Sequence, residues 1–104
     1  MLIDFHTHAF PPKLAGRAMG KLSHDVGGLV PQTDGTLAGL KALMEEDGVQ
    51  ISVVHSIATN PHQMHKVNDY AFEMDREEGI VAFGSVHPEA PDALEELSAS
   101  RRLA

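Results

Sequence analysis

Residues 51–86 read ISVVHSIATNPHQMHKVNDYAFEMDREEGIVAFGSV, and this stretch decides the fold. Ile51 to His55 is β-branched and apolar enough for a strand buried on both faces. Asn60 before Pro61 is a helix-start signal. Met64, Val67, Ala71 and Met74 recur at helical spacing and predict the inner stripe of a helix running to about Glu78. Gly79 stops that helix just before Ile80 to Val86 opens another strand. A strand, a crossover helix and a second strand imply a parallel pair with a right-handed connection.

The flanking sequence extends the alternation in both directions. Leu2 to His6 reads as a short buried strand, ended by Pro11 and Pro12, with a helix from about Pro12 to Leu22. His24 to Gly35 holds Gly27, Gly28, Pro31 and Gly35 and has no period, which predicts a loop. Thr33 or Asp34 is placed to cap a helix carrying Leu37, Leu40, Leu43 and Met44 on one face, with Gly48 at its C-terminal stop. Beyond Pro88 and Pro91 a last helical segment carries Leu94 and Leu97. The expected class is α/β with a parallel sheet, either part of an eight-stranded barrel or a small doubly wound sheet.

Composition narrows the chemistry. The chain has 104 residues, no cysteine and a formal charge of -7. Without thiolates, any metal site must be built from His, Asp, Glu or water, which suits a hydrolytic centre better than a structural zinc. The negative charge and scattered basic residues argue against nucleic acid and anionic membrane as partners. The start, with an acid and two histidines among its first eight residues, does not resemble a signal peptide, so a cytoplasmic protein is expected.

Seven histidines stand in the chain. On a regular strand Asp4, His6 and His8 would share one face and Ile3, Phe5 and Thr7 the other, so two imidazoles could close on one divalent ion, most simply zinc. Asp4 would then support the ligands or set the local field. His55 and His87 end the second and third strands, where parallel α/β folds place their sites. His55 reads as a rim residue before a ligand. His87 either touches substrate or packs its turn. His62 and His65, three apart on a helix, read as an outer solvated face before a metal grip. Asn68 and Asp69 are poor helix formers left to cap, pack or bond a neighbouring loop. Glu45, Glu46 and Asp47 read as a solvated face.

Ile3-Asp4-Phe5-His6-Thr7-His8 resembles the opening strand of the amidohydrolase superfamily. Phe10-Pro11-Pro12, Ala58-Thr59-Asn60-Pro61, Val67-Asn68-Asp69 and Phe83-Gly84-Ser85-Val86-His87-Pro88 resemble more narrowly amidohydrolase family 2, which includes decarboxylases of aminocarboxymuconate-semialdehyde and benzoate type. The resemblance implies the first three β/α units of a TIM-type (β/α)8 barrel, with His6 and His8 as ligands of a mononuclear metal, usually zinc. In such a family a bound water or hydroxide attacks a carbonyl-type carbon of a small-molecule substrate, or the reaction is a decarboxylation. The further ligands, typically two histidines and an aspartate, come from later strands. His55-Ser56 departs from the apolar residue and proline that relatives show there.

The resemblance reaches about Leu97 and gives way to Ser98-Ala99-Ser100-Arg101-Arg102-Leu103-Ala104. A family-like continuation written GAG CGC ATC AAG GCG CTT GGC, with one G deleted, translates to this tail. A frameshift near codon 98 is therefore expected, leaving an N-terminal fragment that is inactive alone and prone to self-associate through exposed sheet edges. Two other readings stand beside it: a small non-catalytic metal- or partner-binding module, and a His-x-His phosphoesterase barrel, against which Phe10-Pro11-Pro12 and the scarcity of basic phosphate ligands argue.

Overall fold

The computed structural model describes residues 1–25 and 33–100. In chain order these form β1 (Ile3–Thr7), α1 (Pro12–Asp25), α2 (Leu37–Asp47), β2 (Ile51–His55), α3 (Met64–Asp75), β3 (Ile80–Phe83) and α4 (Ala93–Ser100). The three strands make one parallel sheet in the order β1-β2-β3. The α/β class and the parallel alternation expected from the sequence are present, and the sheet is compatible with successive β/α units.

The core lies on one face of the sheet. Val54 from β2 and Ile80 and Ala82 from β3 pack with Leu40 and Met44 of α2, Ala71 and Met74 of α3, and Ala9. Alternation along β3 puts Ile80 and Ala82 inside and leaves Val81 and Phe83 outside. No such layer lies over the other face among the described residues, where Ile3, Phe5, Val81 and Phe83 are all exposed. Parallel sheets normally carry cover on both faces, because both are built from apolar side chains. Here one face is sealed and the other open.

Strand β1 differs from expectation on two counts. It is exposed along Ile3 to His6, not buried, because it is an edge strand whose apolar side chains fall on the open face. Its alternation is also broken. Asp4 pairs with Ser52 and Thr7 with Val54, so Phe5 and His6 together stand opposite Val53 alone. That is a β-bulge, with two residues facing one. Paired residues on neighbouring strands share a face, so Asp4 and Thr7 follow Ser52 and Val54 toward the helices. Asp4 therefore does not share a face with His6 and His8. It instead accepts the His6 amide at 3.2 Å through Oδ1, beside the disturbed ladder.

Helix boundaries follow local chemistry. The N-cap of α2 is Thr36, not Thr33 or Asp34. Its hydroxyl accepts the Gly39 amide at 3.0 Å, while Asp34 Oδ1 accepts both the amide and the hydroxyl of Thr36. Those two bonds hold the Asp34 carboxyl below its ordinary value. Gly48 closes the helix in the left-handed region, at φ 73°. The stripe of α3 is buried at Met64, Val67, Ala71 and Met74, as the period predicts, although the helix begins at Met64 after a turn bonded through Asn60. Gly79 is required where it stands, since φ is +81° and a Cβ would come within 2.8 Å of the Gln50 carbonyl oxygen.

Helix α1 runs through His24 and Asp25, past the expected end at Leu22. Residues 26–32, the remainder of the expected loop apart from 33–35, lie outside the described residues, as do Arg101 to Ala104 of the expected frameshifted tail. Ser98 to Ser100 continue α4. Leu94 and Leu97 of α4 are exposed, so the apolar stripe expected there does not pack. No helix among the described residues is long and apolar enough to cross a membrane.

Candidate metal half-site at the exit of the sheet

His6 and His8 flank Thr7, and Thr7 fixes them. Its buried hydroxyl donates to the Val53 carbonyl at 2.7 Å, which pins the end of β1 to β2 and leaves both histidines on the open face. The His6 and His8 ring centres are 5.1 Å apart, and the His55 ring stands 5.0 Å from His6 and 6.3 Å from His8. Phe83 backs the group edge-on, 5.4 Å from His55. Three imidazoles therefore gather at the carboxyl ends of β1 and β2.

The hydrogen bonds sort their nitrogens. A backbone carbonyl only accepts, so His8 Nδ1, 2.8 Å from the His55 carbonyl oxygen, carries the proton and leaves Nε2 as the lone-pair nitrogen. This is the arrangement by which proteins orient a ligating histidine. His55 Nε2 likewise donates to the Phe5 carbonyl at 2.9 Å, tying its ring across the bulge. His55 is thus a rim residue that supports the pair through its carbonyl.

The pair suits a divalent ion. With metal–nitrogen bonds of about 2.0 to 2.1 Å, two imidazoles on one tetrahedral ion have ring centres about 5 Å apart. The observed ring-centre separation is 5.1 Å. Among the described residues no three His, Asp or Glu side chains converge to hold an ion. The arrangement is two neighbouring imidazoles, of which His8 is oriented by a ring hydrogen bond.

His87 lies apart from this group. Its Nδ1 accepts the Glu89 amide at 3.2 Å and its carbonyl accepts the Ala90 amide at 3.0 Å, so it closes the turn after β3. A cleft of about 440 Å³ opens beside the exit loops, walled by Phe10, Leu14, Ile57 and Val67 and bordered by Arg17 and Gln63. Phe10 and Ile57 each stand two residues beyond His8 and His55, so the same loops shape both features.

A second polar cluster joins α3 to α4. Asn68 is buried, accepts the Ser85 amide at 2.7 Å, and donates to the Ser85 carbonyl at 2.8 Å and to Glu96 at 3.0 Å. Of the roles open to Asn68, it bonds the neighbouring loop. Asp69 stays exposed. His65 bridges Asp92 at 2.5 Å through Nε2 and Glu96 at 2.8 Å through Nδ1. It is an outer-face residue as expected, but an ion-paired one, while His62 is simply exposed.

The hydrogen bond that His65 donates to Asp92 and then the charge of Glu96 raise the His65 pKa above its ordinary 6.5. A raised folded-state value means the contribution to stability is full below about pH 6.5 and disappears as pH rises through the folded value. Comparing wild type and His65→Gln by urea unfolding across pH should show a stability gap below pH 6.5 that closes on the alkaline side.

Comparison of the chain with protein-family models, with curated proteins and with solved structures finds no match.

Proposed function

We propose that this chain is the N-terminal part of a metal-dependent hydrolase of the amidohydrolase type, contributing His6 and His8 to a divalent-metal centre, most simply zinc, and inactive alone. The observation that carries this is the imidazole pair, 5.1 Å apart at the exit of β1, with His8 Nδ1 anchored on the His55 carbonyl and Nε2 left to ligate. The open face and unpaired edges of the sheet suit a chain whose missing cover is further β/α units, closing a barrel over the same face. The resemblance of residues 3–8 to the amidohydrolase opening strand and of the later turns to family 2 supplies the reaction class.

When bound, the ion supplies Lewis acidity toward a carbonyl-type group and toward water. The chain's own residues do the rest of the work at this rim. Thr7 holds the pair on the open face, the His55 carbonyl fixes the His8 tautomer, and Phe83 and Val81 keep the surroundings apolar. The substrate would be a small molecule that approaches over the exit loops, with His87 on the neighbouring turn.

Zinc titrated into the chain, followed by calorimetry, should show saturable binding that falls at least about 100-fold in the His6→Ala, His8→Ala double variant, since losing ligands costs more than the 10–100-fold of losing a supporting hydrogen bond. Equal binding in both chains, with unchanged circular dichroism, would overturn the proposal.

A further inference from the structure

We propose that in the presence of zinc two copies of this chain pair through their open sheet faces, with His6 and His8 of each copy jointly ligating one ion on the two-fold axis. The inference rests on the reading of His6 and His8 as metal ligands and goes beyond it by naming what completes the shell and covers the face when the 104-residue chain stands without the further β/α units proposed above.

Three observations choose a second copy as the occupant. The first is stoichiometry: each chain offers two neighbouring imidazoles, one of them oriented by the His55 carbonyl, among the described residues no third ligand joins them, and zinc without thiolates is usually satisfied by four donors. A two-fold axis doubles two into four, because an isologous contact presents the same patch from both sides. The second is charge. Among the described strand residues the open face carries Ile3, Phe5, Ile51, Val53, Val81, Phe83 and the imidazoles, with no carboxylate, on a chain whose formal charge is -7. Two like-charged chains meet with least repulsion where neither shows a carboxylate.

The third is area. Ile3, Phe5, Val81 and Phe83 are 46%, 68%, 39% and 45% exposed. Taking side-chain areas of about 150 to 250 Å², they offer roughly 400 Å² of apolar surface per copy. A pair would bury roughly 800 Å² of it, short of the about 1,200 Å² at which stable interfaces begin. Apolar contact alone therefore gives a weak association, and a shared ion is what would make it lasting. Metal dependence is thus part of the inference.

Sedimentation velocity of the full 104-residue chain, with zinc and with EDTA, reads the outcome, and a zinc titration reads the stoichiometry. The expected result is a shift from the 11.2 kDa monomer to twice that mass on adding zinc, with one ion per two chains, reversed by EDTA. His6→Ala with His8→Ala should stay monomeric with and without zinc. Ile3→Arg, which puts a charge that cannot ligate zinc on the open face at the end of β1 away from His6 and His8, should also stay monomeric and bind zinc about 10-fold or more weakly, near one ion per chain. A wild-type monomer that takes one ion per chain would overturn this inference and leave the metal reading standing. A dimer indifferent to zinc and to both histidines would overturn it too, and absence of zinc binding would remove both readings together.

Discussion

Met74→Ala is expected to destabilise the chain by about 3 kcal/mol, near the middle of the range for truncating a buried methionine. Met74 is 1% exposed and sits in the cluster formed with Val54, Ala71, Ile80 and Ala82. The surrounding strands are short and bonded to each other, so they have little freedom to collapse into the space. Domains of this size are stable by about 5 to 15 kcal/mol. Here one sheet face contributes little burial, so a loss of that size should move the urea midpoint strongly while leaving the slope unchanged. Met74→Leu, which nearly preserves volume, should cost under about 1.5 kcal/mol. Equal costs for the two variants would mean that Met74 is not packed as described.

Asn68→Ala is expected to cost about 2 to 3 kcal/mol for a different reason. The side chain is 5% exposed and bonds both the amide and the carbonyl of Ser85 as well as Glu96. Truncation leaves those groups without a partner in a place where water replaces the amide poorly. Hydrogen exchange at the Ser85 amide should accelerate by far more than at the amides of β2. Asn68→Asp should restore protection of the Ser85 amide only in part, since a carboxylate oxygen can still accept that amide but cannot donate to the Ser85 carbonyl and repels Glu96. If the Ser85 amide keeps its protection in Asn68→Ala, the bond to Asn68 is not what holds that loop.

The parts of this fold legible in the sequence are those fixed by local period and punctuation. Ile51 to His55, the stripe Met64, Val67, Ala71 and Met74, and the stops at Gly48 and Gly79 each follow from side-chain spacing or from a backbone that only glycine adopts easily. The histidine pair was legible too, since His6 and His8 meet on the open face. What the sequence could not show depended on partners distant in the chain. The exposure of β1 is a property of its edge position, and apolar composition does not report which edge a strand occupies. The bulge at Phe5 and His6 arises from register against β2, so strict alternation misplaced Asp4. The His65 bridge needed Asp92 and Glu96, 27 and 31 positions away. A threonine between two histidines reads as a spacer, and only the Val53 carbonyl reveals Thr7 as the anchor.

The bulge in β1 also decides how this strand tolerates changes in length. Because Phe5 and His6 share one partner position, removing Phe5 would restore ordinary pairing with Asp4 still opposite Ser52 and Thr7 still opposite Val54. His6 and His8 would keep their side of the sheet. A residue lost or gained elsewhere between Asp4 and His8 has no such slack, and would carry one histidine toward the helices. A form of the chain lacking Phe5 is therefore expected to keep an intact histidine pair on a strand of regular pairing.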